Sequence, residues 1–147
     1  MSVVIVLIVG ALAMMSFLSR KPVNLGVVNG RLADCPSSPN CVSTQANDAE
    51  HRMEPIRFAR SPDEAMQRMI DLAAKMPRTN ILTVEDTYLH VEFRSTFFRF
   101  VDDVEFLIDP KEQLIHFRSA SRVGYSDLGV NRRRMEQIRK AFKNGKP

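Results

Sequence analysis

The chain has 147 residues, of which 44% are hydrophobic, and its formal net charge is +4. It contains no internal repeat and no low-complexity tract, which excludes a repeat array and leaves one domain with a single packed core as the expectation. The charge is uneven, because Val130 to Pro147 holds seven Lys or Arg against one Glu. Such a basic tail suits a phosphate-bearing partner, and it equally suits a solvated helix face.

The amino-terminal segment Val3 to Leu18 contains no charged residue and predicts a membrane-associated helix. About 20 residues span a bilayer and about 17 is the lower limit, so an uncleaved anchor and a signal peptide both fit. Arg20 and Lys21 follow directly, which favours a cytoplasmic body under the positive-inside bias. The chain is divided into an anchor or signal segment at residues 1–19, a linker at 20–34 and a single globular domain at 35–147.

Two prolines separate Cys35 from Cys41, which excludes a helix between them. A turn that brings the two Cα atoms to about 5–6 Å would accept a disulfide. Free thiols, metal ligation and a nucleophilic Cys41 remain open at this point, although the three histidines lack zinc-ligand spacing and no metal is expected. A disulfide would place the domain in the periplasm at a bacterial inner membrane, with a cytoplasmic orientation as the alternative.

Two helices are predicted in the globular domain. Ser61, Pro62 and Glu64 form a capping box with proline at the first helical position, and apolar residues follow at helical spacing. A last helix is expected to begin at Ser126 or Asp127, either of which can cap it. Its inner face would carry Val130, Met135, Ile138 and Phe142.

Between the helices the hydrophobic period changes from helical spacing to two, which predicts strands. Alternation marks residues 88–94, 103–108 and 115–118, and a further strand precedes them at 81–86. A short edge strand is predicted near residues 56–58. The fold class is therefore α+β: an amino-terminal hydrophobic helix, then a mainly four-stranded antiparallel sheet with two helices packed on one face.

The segment from Arg118 to Arg134 combines guanidinium groups, hydroxyls and a helix start, as an anion-recognising loop requires. The candidate binding residues are Arg118, Ser119, Ser121, Arg122, Tyr125, Asp127, Asn131, Arg132 and Arg134. The same arginines can instead form an internal ion-pair network with Asp102, Asp103 and Asp127, and this alternative stays open.

Two stretches together resemble a known family. Cys35 to Ser43 and Arg118 to Arg134 look like the signature stretches of the domain of unknown function 1499 family, and the resemblance runs from about Leu32 to Phe142. It implies no established activity, substrate or catalytic residue. Members of this type often carry a preceding signal or membrane segment, which agrees with the apolar amino terminus.

Three functions follow as hypotheses. The first is a membrane-anchored, non-catalytic envelope domain that binds an anionic small molecule, lipid head group or protein partner through the Arg118 to Arg134 segment. The second is an envelope hydrolase with His90 or His116 as general base, which requires that histidine near Ser119, Ser121 or Tyr125. The third is an assembly factor with a protein partner, favoured by an exposed apolar patch beside the arginines. No motif implies a cofactor, and nucleic acid recognition is poorly supported.

Overall fold

One antiparallel sheet with two helices on one face organises the chain in the computed structural model, which describes residues 3–17, 20–96 and 99–145. The elements of these residues are α1 (Val3–Phe17), β1 (Cys41–Ser43), β2 (Ile56–Arg57), α2 (Pro62–Lys75), β3 (Thr79–Val84), β4 (Tyr88–Arg94), β5 (Val101–Asp109), β6 (Leu114–Ser121) and α3 (Val130–Asn144). The predicted α+β class is confirmed.

The sheet has six strands in the order β1-β6-β5-β4-β3, and β2 also pairs with β6. The predicted four-stranded meander forms β3 to β6, and the edge strand predicted near residues 56–58 is β2. The sequence therefore predicted too few strands: it indicated a mainly four-stranded sheet, and the sheet of the described residues has six. β1 pairs Cys41 with Ala120, and a three-residue strand beside a cysteine loop is too short to show a hydrophobic period.

The helices pack on one face because the strands alternate. Leu89, Val91 and Phe93 of β4 point toward them, and β5 and β6 contribute the matching apolar positions. The predicted capping box of α2 is present, since Ser61 accepts from the Glu64 amide and the Glu64 side chain accepts from the Ser61 amide. The core therefore lies between this sheet face and α2 and α3.

The last helix begins later than predicted. α3 starts at Val130, and Gly129 occupies the cap position with a φ of 76°. The Asp127 carboxylate accepts from the backbone amides of Gly129 at 3.0 Å and Asn131 at 2.6 Å. Asp127 thus lies two residues before the cap and satisfies the Asn131 amide, one of the donors that the first turn of a helix leaves without an intrahelical partner.

Part of the segment predicted as a linker packs on the other face of the sheet. Leu32 is buried against Tyr88 and Leu107. The Gly26 amide donates to Glu105 Oε1 at 2.7 Å. Residues of this segment therefore cover part of the sheet face opposite the helices.

The apolar segment at the amino terminus forms α1, and Leu18 of the predicted span lies outside the described residues. Within the part of the chain that the structure describes, no helix combines the length and the apolarity needed to cross a membrane. Membrane association stays a prediction.

The docking of residues 26–34 can be tested with Leu32→Ala. Because Leu32 is 3% exposed, its truncation should lower the free energy of unfolding by about 2–4 kcal/mol. Val23→Ala is the matched control, since Val23 is fully exposed and should change stability by less than about 0.5 kcal/mol. Urea unfolding followed by circular dichroism measures both, and equal small effects would show that the segment is not part of the folded domain.

Candidate functional site

The sheet face away from the helices carries a buried ionic cluster of His90, Glu92, Asp103 and Arg122. Arg122 donates to Asp103 through Nε and Nη2, both at 2.8 Å, and also to Glu92. His90 Nε2 lies 2.7 Å from Asp103 Oδ1, the oxygen that also accepts from Arg122 Nη2. Burial opposes ionisation of Asp103, but the hydrogen bonds from Arg122 and His90 outweigh it and lower its pKa.

Arg118 forms a second buried ion pair beside this cluster. Its Nη1 lies 3.3 Å from Glu105 Oε2, and the Tyr88 hydroxyl donates to Glu105 Oε1 at 2.8 Å. Burial and the neighbouring Glu105 carboxylate raise the pKa of Tyr88 well above its ordinary value. Arg118 and Arg122 are thus turned inward and paired with carboxylates.

A second polar group, on the helix side of the sheet, is organised by Asn131. Its amide oxygen accepts from Ser119 Oγ at 2.5 Å and from Arg134 Nη1 at 2.9 Å. Its amide nitrogen donates to Ser121 Oγ at 3.0 Å and to the Asn40 carbonyl at 3.1 Å. We call these five residues the asparagine hub, and it joins β6, α3 and the cysteine loop.

The cysteine loop is closed by a Cys35–Cys41 disulfide with a Cα–Cα distance of 5.7 Å, as predicted. Neither cysteine is free, which excludes the thiol, metal-ligand and nucleophile alternatives. Asn40 sits next to the bridge, accepts from the Ser121 amide and donates to the Gly124 carbonyl at 2.6 Å. The two stretches that carried the family resemblance therefore meet in space at Asn40.

The histidines are separated from the hydroxyls of the Arg118 to Arg134 segment. His116 lies 3.1 Å from Thr44 Oγ1, and its pKa is lowered by burial. His51 bonds Asp48 and the Ser38 carbonyl, and these contacts raise its pKa against the effect of burial. Among the described residues no histidine is hydrogen-bonded to Ser119, Ser121 or Tyr125, and no His, Cys, Asp and Glu group could hold a metal ion.

Residues 124–130 form what we call the apex loop, which connects β6 to α3. Tyr125 is 76% exposed and Leu128 is 84% exposed. Gly124 and Leu128 both have a positive φ, which turns the chain sharply. The loop therefore presents two large apolar side chains to the outside.

Beside the apex loop lies a groove of about 380 Å³. Its lining includes the apolar side chains of Met76 and Phe93 and four guanidinium groups. We call it the arginine groove; its arginines are Arg78, Arg94, Arg133 and Arg134. The described residues that line it include no Asp or Glu, so the charged side chains of its lining are all positive.

Each groove arginine is oriented by a contact behind it. Arg134 Nη2 donates to Asp102 at 2.7 Å, and its guanidinium stacks 4.6 Å from the centre of the Phe93 ring. Arg94 bonds Glu92 at 3.2 Å and Arg133 bonds the Leu128 carbonyl at 2.8 Å.

Arg78 is held in a similar way, because its Nε donates to the Arg94 carbonyl at 3.2 Å. Arg78 follows Pro77 with a φ of 58°. Because a guanidinium has five donors, these contacts leave N–H groups of Arg78, Arg94 and Arg133 available to a ligand.

The structure distributes the predicted binding residues over five environments. Arg118 and Arg122 lie in buried ion pairs, and Ser119, Ser121, Asn131 and Arg134 form the helix-side hub. Tyr125 is exposed, Asp127 caps α3, and Arg132 donates to the carbonyls of Glu50 and Arg52. Only Arg134 of this set lines the groove.

Sequence reasoning missed three of the groove arginines. Arg78 follows Pro77 in the connection between α2 and β3, Arg94 ends β4, and Arg133 lies in the first turn of α3. Because the three come from separate elements, no local motif links them. A basic residue at the end of a predicted strand was the one available signal.

The ionic cluster can be tested with Arg122→Gln. The change leaves Glu92 and Asp103 buried without their cation, so the free energy of unfolding near neutral pH should fall by about 3–5 kcal/mol. Arg57→Gln is the control, because Arg57 is exposed and should change stability by less than about 0.5 kcal/mol.

The same variant tests the pH dependence. The native pKa of Asp103 lies below its ordinary value of 3.8, so its ionised form stabilises the fold fully above that value and loses this effect as the pH falls through the native pKa. The difference between wild type and Arg122→Gln should therefore shrink in acid. A difference that is constant with pH would contradict this assignment.

Comparison with known proteins gives one match. The family model described as a protein of unknown function, DUF1499, matches residues 31–142. No curated protein and no solved structure matches the chain. The matched residues cover more than half of the chain and begin next to Leu32, which packs on the sheet. They include the cysteine loop, the asparagine hub and the arginine groove. The chain belongs to the DUF1499 family.

Proposed function

We propose that this domain is a non-catalytic module that holds an anionic group of its ligand or partner in the arginine groove. The observation that carries the proposal is the convergence of four guanidinium groups on one open groove with no carboxylate among the described residues that line it. Guanidinium forks match the geometry of phosphate and carboxylate oxygens, and each charge-assisted bond is about twice as strong as a neutral one.

The groove supports this role through preorganisation. Asp102 and Glu92 hold Arg134 and Arg94 from behind, and the Leu128 carbonyl holds Arg133. A ligand therefore meets side chains whose conformations are already restricted, which reduces the entropy cost of binding. The Asp102 and Glu92 side chains are themselves at least nine-tenths buried, so they orient the arginines without lining the groove.

The predicted setting of this module is the periplasmic side of a bacterial inner membrane, with residues 1–19 as the attachment. Two features support it. The disulfide is typical of an oxidising compartment, and α1 is composed of apolar residues with glycine and serine as its only polar interruptions. The phosphate of a lipid or the carboxylate of a cell-wall component is the kind of anion available there.

The apex loop favours an extended partner over a free small molecule. Tyr125 and Leu128 are exposed in the same loop, and the Leu128 carbonyl accepts from Arg133 of the groove at 2.8 Å. Exposed apolar side chains close to a charged groove are typical of an interaction surface. The anion is therefore proposed to belong to a larger surface. The hydrolase hypothesis lacks the histidine contacts that it requires, since His90 bonds Asp103 and His116 bonds Thr44.

The double variant Arg78→Gln/Arg133→Gln tests the groove. Inorganic phosphate, exchanged for chloride at constant ionic strength, should raise the Tm of the full chain in an uncharged detergent. In the double variant, loss of two charge-assisted contacts should weaken phosphate binding at least about tenfold. Scanning calorimetry at several phosphate concentrations gives both affinities.

Lys111→Gln/Lys140→Gln is the matched control, because it removes the same charge from exposed residues outside the groove. It should bind phosphate as the wild type does. Equal weakening in both double variants would show only a response to net charge, and an unchanged affinity in the groove variant would place the anion site elsewhere.

A further inference from the structure

We propose that the apex loop inserts Tyr125 and Leu128 into the interfacial region of an anionic lipid bilayer. The contact of lipid head groups with the arginine groove rests on the proposed function, whereas the insertion of the loop stands on separate observations. These are the exposure of the two side chains, the fixed conformation of the loop and the presence of an apolar helix on the same chain.

Exposure is the first observation. Tyr125 and Leu128 leave most of their surface uncovered, and Val130 at the start of α3 is 39% exposed. Water is a poor solvent for such a group of apolar side chains, and transfer to an apolar medium is favourable in proportion to the area removed from water. Tyrosine also suits the bilayer interface, where its ring lies among the acyl chains and its hydroxyl stays hydrated.

The loop conformation is the second observation. Leu128 has a φ of 55°, which is unfavourable for a residue with a side chain, and Ser126 Oγ accepts from its backbone amide at 3.2 Å. The Asp127 carboxylate accepts from the backbone amides of Gly129 and Asn131. At the other end of the loop, the Asn40 side chain donates to the Gly124 carbonyl. The loop is thus held with its apolar side chains outward, and these bonds oppose folding them back onto the domain.

The surrounding charges favour an anionic surface. Arg133 follows the loop by three residues, and Arg78 and Arg94 lie across the groove. Asp127 is the acidic residue within the loop, and its carboxylate oxygens already accept from two backbone amides. Basic residues near a membrane surface are attracted by anionic lipids, and the attraction adds to the apolar contribution.

The amino-terminal helix favours lipid over protein as the partner. Residues 5–9 of α1 are between 46% and 67% exposed, and all five are Ile, Val or Leu. Gly26 is fixed to Glu105, so at most nine peptide steps separate the domain from the end of α1. Such a tether reaches about 30 Å when fully extended, which would hold the loop at high effective concentration beside any bilayer that binds α1.

The sequence contains no tryptophan, so one introduced tryptophan reports a single position. Leu128→Trp in the full chain is reconstituted in vesicles of phosphatidylcholine with phosphatidylglycerol, and its emission is compared with that of the protein in detergent. We expect a blue shift in these vesicles and quenching by lipids brominated on the acyl chains. Tyr125→Trp provides a second reporter at the same loop, and a Tm equal to that of wild type confirms that each variant folds.

Val84→Trp is the matched control, because Val84 is exposed on β3, an edge strand of the sheet outside the apex loop. Its emission should stay typical of a water-exposed indole. A shift at both positions would overturn the proposal, since it would indicate general adsorption or unfolding. A shift at Leu128→Trp that is equally large in pure phosphatidylcholine would overturn the anionic preference.

Water-like emission at both loop positions in every vesicle would overturn insertion altogether. In that case a shift on addition of membrane-free envelope proteins would assign the loop to a protein partner instead. The phosphate titration decides the arginine groove independently, because it is carried out in uncharged detergent. Phosphate binding without loop insertion would therefore leave the proposed function standing and remove only this inference.

Discussion

The buried Asn131 amide is the interaction on which the exposed surface depends. Asn131 is 1% exposed, and its side chain joins three parts of the chain: Ser119 and Ser121 in β6, the backbone carbonyl of Asn40 in the cysteine loop, and Arg134 in its own helix α3. A buried amide without these partners would cost stability, so the fold keeps these three segments in contact. Through Arg134, the hub also fixes one wall of the arginine groove.

The arginines of this domain occupy two environments, buried ion pairs and the arginine groove, and their positions on strands and helices determine which. Arg118 lies on β6 at a position that points away from the helices, where residues 26–34 roof the sheet and Glu105 supplies the counter-charge. Arg133 and Arg134 lie on a helix, so successive side chains diverge by about 100°, and only Arg134 reaches a buried carboxylate. Arg118 and Arg122 stabilise the fold from buried ion pairs. Arg134 pairs with Asp102 and also lines the groove, whereas Arg133 lines the groove without a carboxylate partner among the described residues.

Local patterns in the sequence predicted the parts of this fold that depend on neighbouring residues. The capping box at Ser61 and the alternation of β4 to β6 are set within a few residues, so their outcome could be predicted. The pairing of β1 with β6 joins residues almost eighty positions apart, and the helix start at Val130 depends on a positive φ at Gly129. Neither the β1–β6 pairing nor the start of α3 produces a hydrophobic period in the sequence, so neither could be predicted from it.

The candidate site was predicted less well than the fold for the same reason. The Arg118 to Arg134 segment was identified as important, but composition alone did not separate the inward arginines from the outward ones. That separation required the position of residues 26–34 over the sheet, which the sequence indicated only as an unpatterned linker. The groove arginines Arg78 and Arg94 come together because the Arg94 amide at the end of β4 donates to the carbonyl of Arg78, the residue just before β3.

The two stretches that carry the family resemblance, residues 35–43 and 118–134, are joined physically through Asn40. The disulfide fixes the loop that ends at Asn40, and Asn40 in turn holds β6 through the Ser121 amide and the apex loop through the Gly124 carbonyl. A loop that exposes Tyr125 and Leu128 would lose affinity for any partner if it had to be ordered on binding. Anchoring it at both ends, by Asn40 and by Asp127, would remove that cost in the proposed insertion, so the loop would retain the binding free energy of its exposed side chains.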